Sequence, residues 1–101
     1  MSKYINVSVV GATGYIGLEL IKLLTKHPKV KIKNICAQSN IGKPMYKFDS
    51  SLKKKSLPKI TNLASINFDN IDIIFTALPN GEAQKISKKL TSKNKLIDLS
   101  A

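Results

Sequence analysis

Cysteine, histidine and arginine are almost or wholly missing from this chain of 101 residues. The single cysteine, Cys36, excludes an internal disulfide framework and cannot build a thiolate metal cluster by itself. It stands between Ile35 and Ala37, a setting that favours a packed core residue over a catalytic thiol. The single histidine, His27, precedes Pro28 at a predicted helix end, where capping of backbone carbonyls is favoured over chemistry. We therefore predict no catalytic residue and no metal site in this chain.

Long hydrophobic runs are also missing. The apolar runs are only a few residues long, whereas about 20 are needed to span a bilayer. The first residues enter strand-like sequence almost at once and leave no room for a cleavable leader. We therefore expect one small domain, with no membrane segment and a cytoplasmic location.

The charge of the chain is strongly positive, at +11, and all 17 basic residues are lysines. A protein that reads base edges or clamps phosphates is expected to use the arginine fork. The lysines are scattered, apart from three in a row at residues 53–55. This pattern favours a solvated lysine surface and predicts no nucleic-acid partner. A weak, salt-sensitive nucleic-acid binder is the alternative.

The first third of the chain has the periodicity of a strand, a helix and a second strand. Residues Ile5 to Val10 are β-branched and bounded by glycine, which predicts a buried strand. Helical spacing of apolar residues then begins at Gly14 and ends before His27 and Pro28. In the second predicted strand, four residues alternate with three others: Val30, Ile32, Asn34 and Cys36 with Lys31, Lys33 and Ile35. The size of this β-α-β segment is typical of a parallel crossover unit.

The rest of the chain continues the alternation after a long connection over residues 38–62, which includes a short extended piece near 57–61. The later predicted elements are a strand over 71–77, a turn over 78–81, a surface helix over 82–90 and a strand over 95–99. This order predicts an α/β fold, with a Rossmann-like, doubly wound parallel sheet. Residues 1–101 are therefore interpreted as a single dinucleotide-binding domain.

Three glycines, Gly11, Gly14 and Gly17, follow the first strand and open the helix in the sequence VVGATGYIG. In this context Gly11 allows a tight turn, Gly14 lets the backbone approach a pyrophosphate, and Gly17 lets the helix pack closely on the sheet. We expect the backbone N–H groups of residues 12–16 to point at the anion. The Thr13 hydroxyl adds a contact to the anion or caps the helix. No Gly-Lys-Ser/Thr sequence follows, which excludes a P-loop.

The region after the second strand indicates which dinucleotide is bound. NAD sites usually place a carboxylate about 20 residues past the glycines, yet none occurs between Glu19 and Asp49. The sequence offers hydroxyl, amide and ammonium donors there instead, from Gln38, Ser39, Asn40 and Lys43. These donors favour the 2′-phosphate of NADP, and an ordinary solvated loop is the alternative.

Four segments of the chain resemble the N-acetyl-gamma-glutamyl-phosphate reductase family: GATGYIG with Glu19 and Leu20, QSN with GKP, ALPNG, and IDLSA. The resemblance implies an NADP-dependent reductase of arginine biosynthesis that converts an acyl phosphate to an aldehyde. In that family a cysteine thiolate attacks the acyl phosphate, a histidine acts as acid and base, and hydride from NADPH releases the semialdehyde. Those two residues lie beyond the matched segment, since Cys36 and His27 do not occupy their positions.

The resemblance also implies the cofactor-binding residues, which are Gly11, Ala12, Thr13, Gly14, Tyr15, Ile16, Gly17, Gln38, Ser39, Asn40, Lys43, Leu78 and Pro79. The family sequence continues beyond Ser100 and Ala101, so we expect a chain truncated at its C-terminus, without the domain that binds the small-molecule substrate. The full-length protein is expected to be a homo-oligomer. Two alternatives are an aspartate-semialdehyde dehydrogenase-type reductase, which shares the opening glycines, and a non-catalytic nucleotide-binding module.

Overall fold

The computed structural model describes residues 4–78, 86 and 94–99. Its regular elements are β1 (Ile5–Val10), α1 (Tyr15–Leu24), β2 (Val30–Cys36), β3 (Ile60–Thr61), β4 (Ile73–Thr76) and β5 (Lys95–Asp98). The strands form one sheet in the order β3-β2-β1-β4-β5, and each neighbouring pair is parallel. The predicted Rossmann-like α/β fold is therefore confirmed.

The β1-α1-β2 unit forms where the sequence predicts it. In β1 the side chains of Val7, Val9 and Val10 are almost fully buried, as expected of a central strand in a parallel sheet. The helix α1 ends at Leu24, shortly before the predicted stop. The predicted capping of carbonyls by His27 is wrong, because its Nδ1 instead accepts a 3.1 Å hydrogen bond from the N–H of Lys29.

The predicted strict alternation of β2 is interrupted by a bulge. Val7 of β1 pairs with Ile32, but the next residue, Ser8, pairs with Asn34, so Lys33 is an extra residue in β2. An extra residue reverses the facing of every side chain that follows it. As a result Ile35, predicted on the face opposite Ile32, is buried in the same core cluster.

Two apolar clusters cover the two faces of the sheet. The cluster on the α1 side includes Val9, Ile21 and Ile35, whereas the cluster on the other side includes Val10 and Cys36. Adjacent residues of one strand point to opposite faces, which explains this division. Cys36 is 1% exposed, so its prediction as a core residue is confirmed.

The second half of the chain matches its prediction less closely. The strand β4 is shorter than predicted, and β3 is a two-residue strand that pairs with Ile35 and Cys36. The long connection contains two short 3-10 helices, Met45–Lys47 and Ser50–Leu52, and a third, Leu63–Ser65, follows β3. The predicted helix over 82–90 lies outside the described residues except for Ile86, which is fully buried.

The connection between β2 and β3 is anchored to the rest of the domain on both its apolar and its polar side. Met45 and Leu52 enter the core cluster beside α1. On the polar side, Asp49 forms a 3.1 Å ion pair with Lys22 of α1.

Among the described residues there is no helix long and apolar enough to cross a membrane.

Candidate functional site

The strand order creates a crevice at the carboxyl ends of β1 and β4. The chain runs outward from β1 to β2 and β3, then crosses back to β4 and continues to β5 on the other side. Connections leave these two central strands in opposite directions, and ligands of open α/β sheets bind at such a switch point. The strand ends are held together there, because the N–H of Ala77 donates a 2.8 Å hydrogen bond to the carbonyl of Val10.

The first and third glycines are required by close backbone contacts. Gly11 has a φ of +88°, and a Cβ on it would lie 2.5 Å from the carbonyl oxygen of Ala77. A Cβ on Gly17 would overlap the carbonyl oxygen of Gly11 and lie 2.9 Å from the Cα of Ala12. Both positions therefore exclude a side chain, which lets the loop turn sharply and the helix approach it closely.

The second glycine faces open space. Around Gly14 the nearest atom that a Cβ would meet is the carbonyl oxygen of Gly11, at an ordinary 3.6 Å. Its φ of −75° suits any residue, so neither the fold nor the backbone requires glycine here. Among the described residues, the space beside Gly14 is therefore open to a group that is not part of the protein.

The helix α1 begins without a side-chain cap. Gly14 is the N-cap residue and no side chain of the described chain caps the helix, so the capping alternative for Thr13 is not realised. Among the described residues, the N–H groups of Thr13, Tyr15 and Ile16 have no acceptor. Donors at the first turn of a helix, together with the helix dipole, attract an anion.

The prediction that all five N–H groups of residues 12–16 point at the anion needs a correction. The N–H of Ala12 donates a 3.0 Å hydrogen bond to the carbonyl of Cys36, and the N–H of Gly14 donates to Gly11 at 3.3 Å. The loop therefore uses two donors to bind itself to β2 and to close its own turn. Tyr15 and Ile16 are 83% and 46% exposed, so both residues lie at the surface.

The loop after β2 links three of its predicted residues by two hydrogen bonds. The Lys43 ammonium donates a 3.4 Å hydrogen bond to Oδ1 of Asn40, and Nδ2 of Asn40 donates to Oγ of Ser39 at 3.3 Å. Gln38 and Ser39 are exposed beside them. Lys43 is the charged side chain of the predicted site, so this corner of the site favours an anion.

A pocket of about 300 Å³ lies at the carboxyl ends of the strands. Its lining comes from the carboxyl ends of four neighbouring strands: Val10, Cys36, Ala37, Gln38, Asn62, Leu63 and Leu78. The lining is mainly apolar, which suits a flat heterocyclic ring more than a phosphate.

Sequence reasoning missed Asn62 and Leu63 as pocket residues. They follow β3, whose two residues are too few to show a period, although the predicted extended piece near 57–61 pointed to a strand there. Of the other predicted site residues, Leu78 lines the pocket and Pro79 lies outside the described residues. The described residues contain no group of three or more His, Cys, Asp or Glu side chains that could hold a metal ion.

Comparisons with known proteins place the chain in a family. Residues 6–101 match the family described as semialdehyde dehydrogenase, NAD binding domain. The chain is 45% identical over its whole length to the N-acetyl-gamma-glutamyl-phosphate reductase of Ehrlichia ruminantium, of which it covers 30%. It is 42% identical over 96% of its length to the reductase of the same name from Desulforamulus reducens, of which it covers 29%. The resemblance noted in the sequence is thereby confirmed.

A solved structure shares the fold over nearly the whole chain. The aspartate semialdehyde dehydrogenase of Candida albicans with NADP superposes with a TM-score of 0.74 and 26% sequence identity, over 97% of this chain and 30% of that one. The chain thus spans about 30% of the length of these relatives.

Proposed function

Since the chain belongs to the family of semialdehyde dehydrogenase NAD-binding domains, we propose that it binds NADP(H) as the cofactor-binding portion of an N-acetyl-gamma-glutamyl-phosphate reductase. The observation that carries the proposal is the uncapped first turn of α1, which opens beside Gly14 at the sheet's switch point. Relatives that are 45% and 42% identical carry that reductase name, which supports the reaction class.

The glycine loop would hold the pyrophosphate. The N–H groups of Thr13, Tyr15 and Ile16 supply donors without competing acceptors among the described residues, and the helix dipole adds a favourable field. The missing side chain at Gly14 would let the pyrophosphate approach the backbone closely. Only main-chain groups are needed for this contact.

The pocket between the strand ends would hold the adenine ring. Its apolar lining, from Val10, Leu63 and Leu78, buries a flat ring, and the side chains of Gln38 and Asn62 offer polar partners. The loop after β2 would then lie beside the adenosine ribose, whose 2′ oxygen carries the extra phosphate of NADP. Ser39 and Lys43 would donate to the 2′-phosphate there, with Asn40 between them. The sequence has no carboxylate between Glu19 and Asp49 that would repel the phosphate.

The chemistry of the whole protein would be reduction of an acyl phosphate to an aldehyde, with release of phosphate. NADPH supplies the hydride when bound. The described residues hold the cofactor and leave the reacting groups to the rest of the protein. Cys36 is 1% exposed within the sheet, so its thiol is not accessible to a substrate. His27 lies between the end of α1 and the start of β2, at the amino ends of the strands, whereas the crevice lies at their carboxyl ends.

The substrate would therefore be bound outside this segment. The chain spans about 30% of the curated relatives it matches, which supports a separate substrate-binding part. We also propose a cytoplasmic location and a homo-oligomeric full-length protein, both of which accompany the reductase assignment. The aspartate-semialdehyde alternative is less favoured, because the identity to the Candida enzyme is 26% against 45% for the reductase.

A direct test is titration of the chain with NADPH and with NADH by calorimetry, with circular dichroism to show that the sample is folded. We expect NADPH to bind more tightly than NADH. A folded chain that binds neither nucleotide would overturn the proposal. In the full-length protein, reductive release of phosphate from N-acetyl-gamma-glutamyl phosphate, and not from aspartyl phosphate, distinguishes the two reductases.

A further inference from the structure

Asn40 has an unusual backbone conformation at the centre of the loop after β2. Its φ is +63°, the one positive value among the described non-glycine residues. Asparagine tolerates this left-handed conformation better than most residues with a side chain. Glycine would satisfy the backbone at least as well. The amide side chain of Asn40 therefore needs an explanation beyond the turn.

The hydrogen bonds of Asn40 have a direction that their chemistry imposes. An ammonium group can only donate, so Lys43 must face Oδ1 of Asn40, at 3.4 Å. This orients Nδ2 towards Oγ of Ser39, which accepts at 3.3 Å. Since the Ser39 oxygen accepts, its own hydrogen can be donated outward. Asn40 thus arranges one ammonium and one hydroxyl as donors on the same loop.

The backbone around these donors is anchored to β3. The N–H of Gly42 donates a 2.7 Å hydrogen bond to the carbonyl of Ile60, and the N–H of Ile60 donates back to Lys43 at 3.0 Å. A third bond, 3.1 Å long, joins the N–H of Lys43 to the carbonyl of Asn40. Ile60 is fully buried, so the loop is attached to the core. The donors are therefore presented by a constrained backbone.

We propose that Asn40 is a positioning residue that sets the preference of this site for NADPH over NADH, by holding Lys43 and Ser39 ready for the 2′-phosphate. The proposal rests on the proposed function, because it presumes that the cofactor occupies the crevice. Preorganised donors lose less freedom on binding and therefore bind an anion more tightly. This arrangement replaces the guanidinium fork that an arginine would bring ready-made.

The test uses calorimetric titration of the chain with NADPH and NADH. Asn40→Gly keeps the left-handed backbone and removes only the amide, so we expect NADPH affinity to fall about tenfold with NADH affinity unchanged. Asn40→Asp places a carboxylate beside Lys43 and near the 2′-phosphate, so NADPH affinity should fall by more than in Asn40→Gly. Lys43→Met should weaken NADPH binding by about tenfold as well.

The matched control is Lys31→Met, which removes the same charge. Lys31 pairs with Asn6 at the other end of β2, so this variant should leave the ratio of the two affinities unchanged. If Asn40→Gly retains the parent's ratio of NADPH to NADH affinity, the role of Asn40 is overturned while the proposed function stands. If the unaltered, folded chain binds neither nucleotide, the proposed function fails and this inference fails with it.

Discussion

The carbonyl oxygen of Gly11 lies so close to Gly17 that a Cβ on Gly17 would overlap it. The contact joins the turn after β1 to the first turn of α1, so the helix axis starts directly against the loop. Gly14 lies between these two residues and makes no such contact. The three glycines of one motif thus divide into two that build the loop and one that leaves space beside it.

Gly17→Ala should destabilise the chain. The added methyl group meets backbone atoms of Gly11 and Ala12, which cannot rotate away as a side chain could. Overpacking of this kind outweighs the better helix propensity of alanine, so we expect a loss of about 2 kcal/mol in the free energy of unfolding. In a domain of this size the melting temperature should fall by roughly 10 °C. Urea and thermal unfolding measure both, and equal stability of variant and parent would contradict the contact.

Gly14→Ala is the matched variant with the opposite outcome. Its φ of −75° and the free space beside it accept a methyl group, so stability should change by less than about 1 kcal/mol. The methyl group should instead obstruct the pyrophosphate, which weakens NADPH and NADH binding alike, by about tenfold. Titration of the folded variant checks this. Full affinity for both nucleotides would place the pyrophosphate elsewhere.

Asp49 should titrate far below an ordinary aspartate. Hydrogen bonds from the Ser51 hydroxyl at 2.6 Å and the Ser51 N–H at 2.9 Å, and then the Lys22 ammonium, lower the pKa of Asp49 from 3.8 to about 2. Because the folded-state pKa is lowered, the stabilisation is complete above pH 3.8 and is lost as the pH falls towards 2. Ser51→Ala should raise the pKa towards 3.8, as seen in the carboxyl chemical shift by NMR.

The neighbouring Ser50→Ala provides the control for that titration, because the side-chain hydrogen bond to Asp49 comes from Ser51. Its Asp49 midpoint should match that of the parent. A parent midpoint near 3.8, or one that does not move in Ser51→Ala, would contradict the hydrogen-bond arrangement.

Asn34→Ala should show how much the side-chain hydrogen bond between Asn34 of β2 and Ser8 of β1 stabilises the fold. Nδ2 of Asn34 donates a 2.9 Å hydrogen bond to Oγ of Ser8, which is fully buried. Without that donor the buried hydroxyl loses its partner, at a cost of about 1 to 2 kcal/mol in the free energy of unfolding. The double variant with Ser8→Ala should lose less free energy of unfolding than the sum of the losses in the two single variants. Strict additivity in urea unfolding would show that the two side chains do not interact.

Local patterns in the sequence predicted the parts of the fold that depend on near neighbours. The bounds of β1 and β2 agree with the structure, because apolar periodicity and flanking breakers act within a few residues. The roles of Gly11 and Gly17 as turn and packing positions follow from the same local context. The roles of the predicted residues as cofactor contacts stay predictions until nucleotide binding is measured.

Contacts between distant segments decided what the sequence did not reveal. The N–H of Ala12 is taken by the carbonyl of Cys36, a bond that depends on how β1 and β2 are aligned. The bulge at Lys33 likewise arises from pairing Ser8 with Asn34. Asn62 and Leu63 enter the pocket because β3 pairs with the end of β2. No window of sequence contains both partners of these contacts.

The sequence by itself determined the α/β class, the glycine loop after a buried strand and the family to which these belong. Each is encoded in short motifs or in the periodicity of one segment. Only the tertiary structure decided which N–H groups remain for an anion, which residues line the pocket and how Asn40 connects Lys43 to Ser39. These features depend on strand register and on loop closure against β3, where the packing of residues far apart in the chain sets each distance.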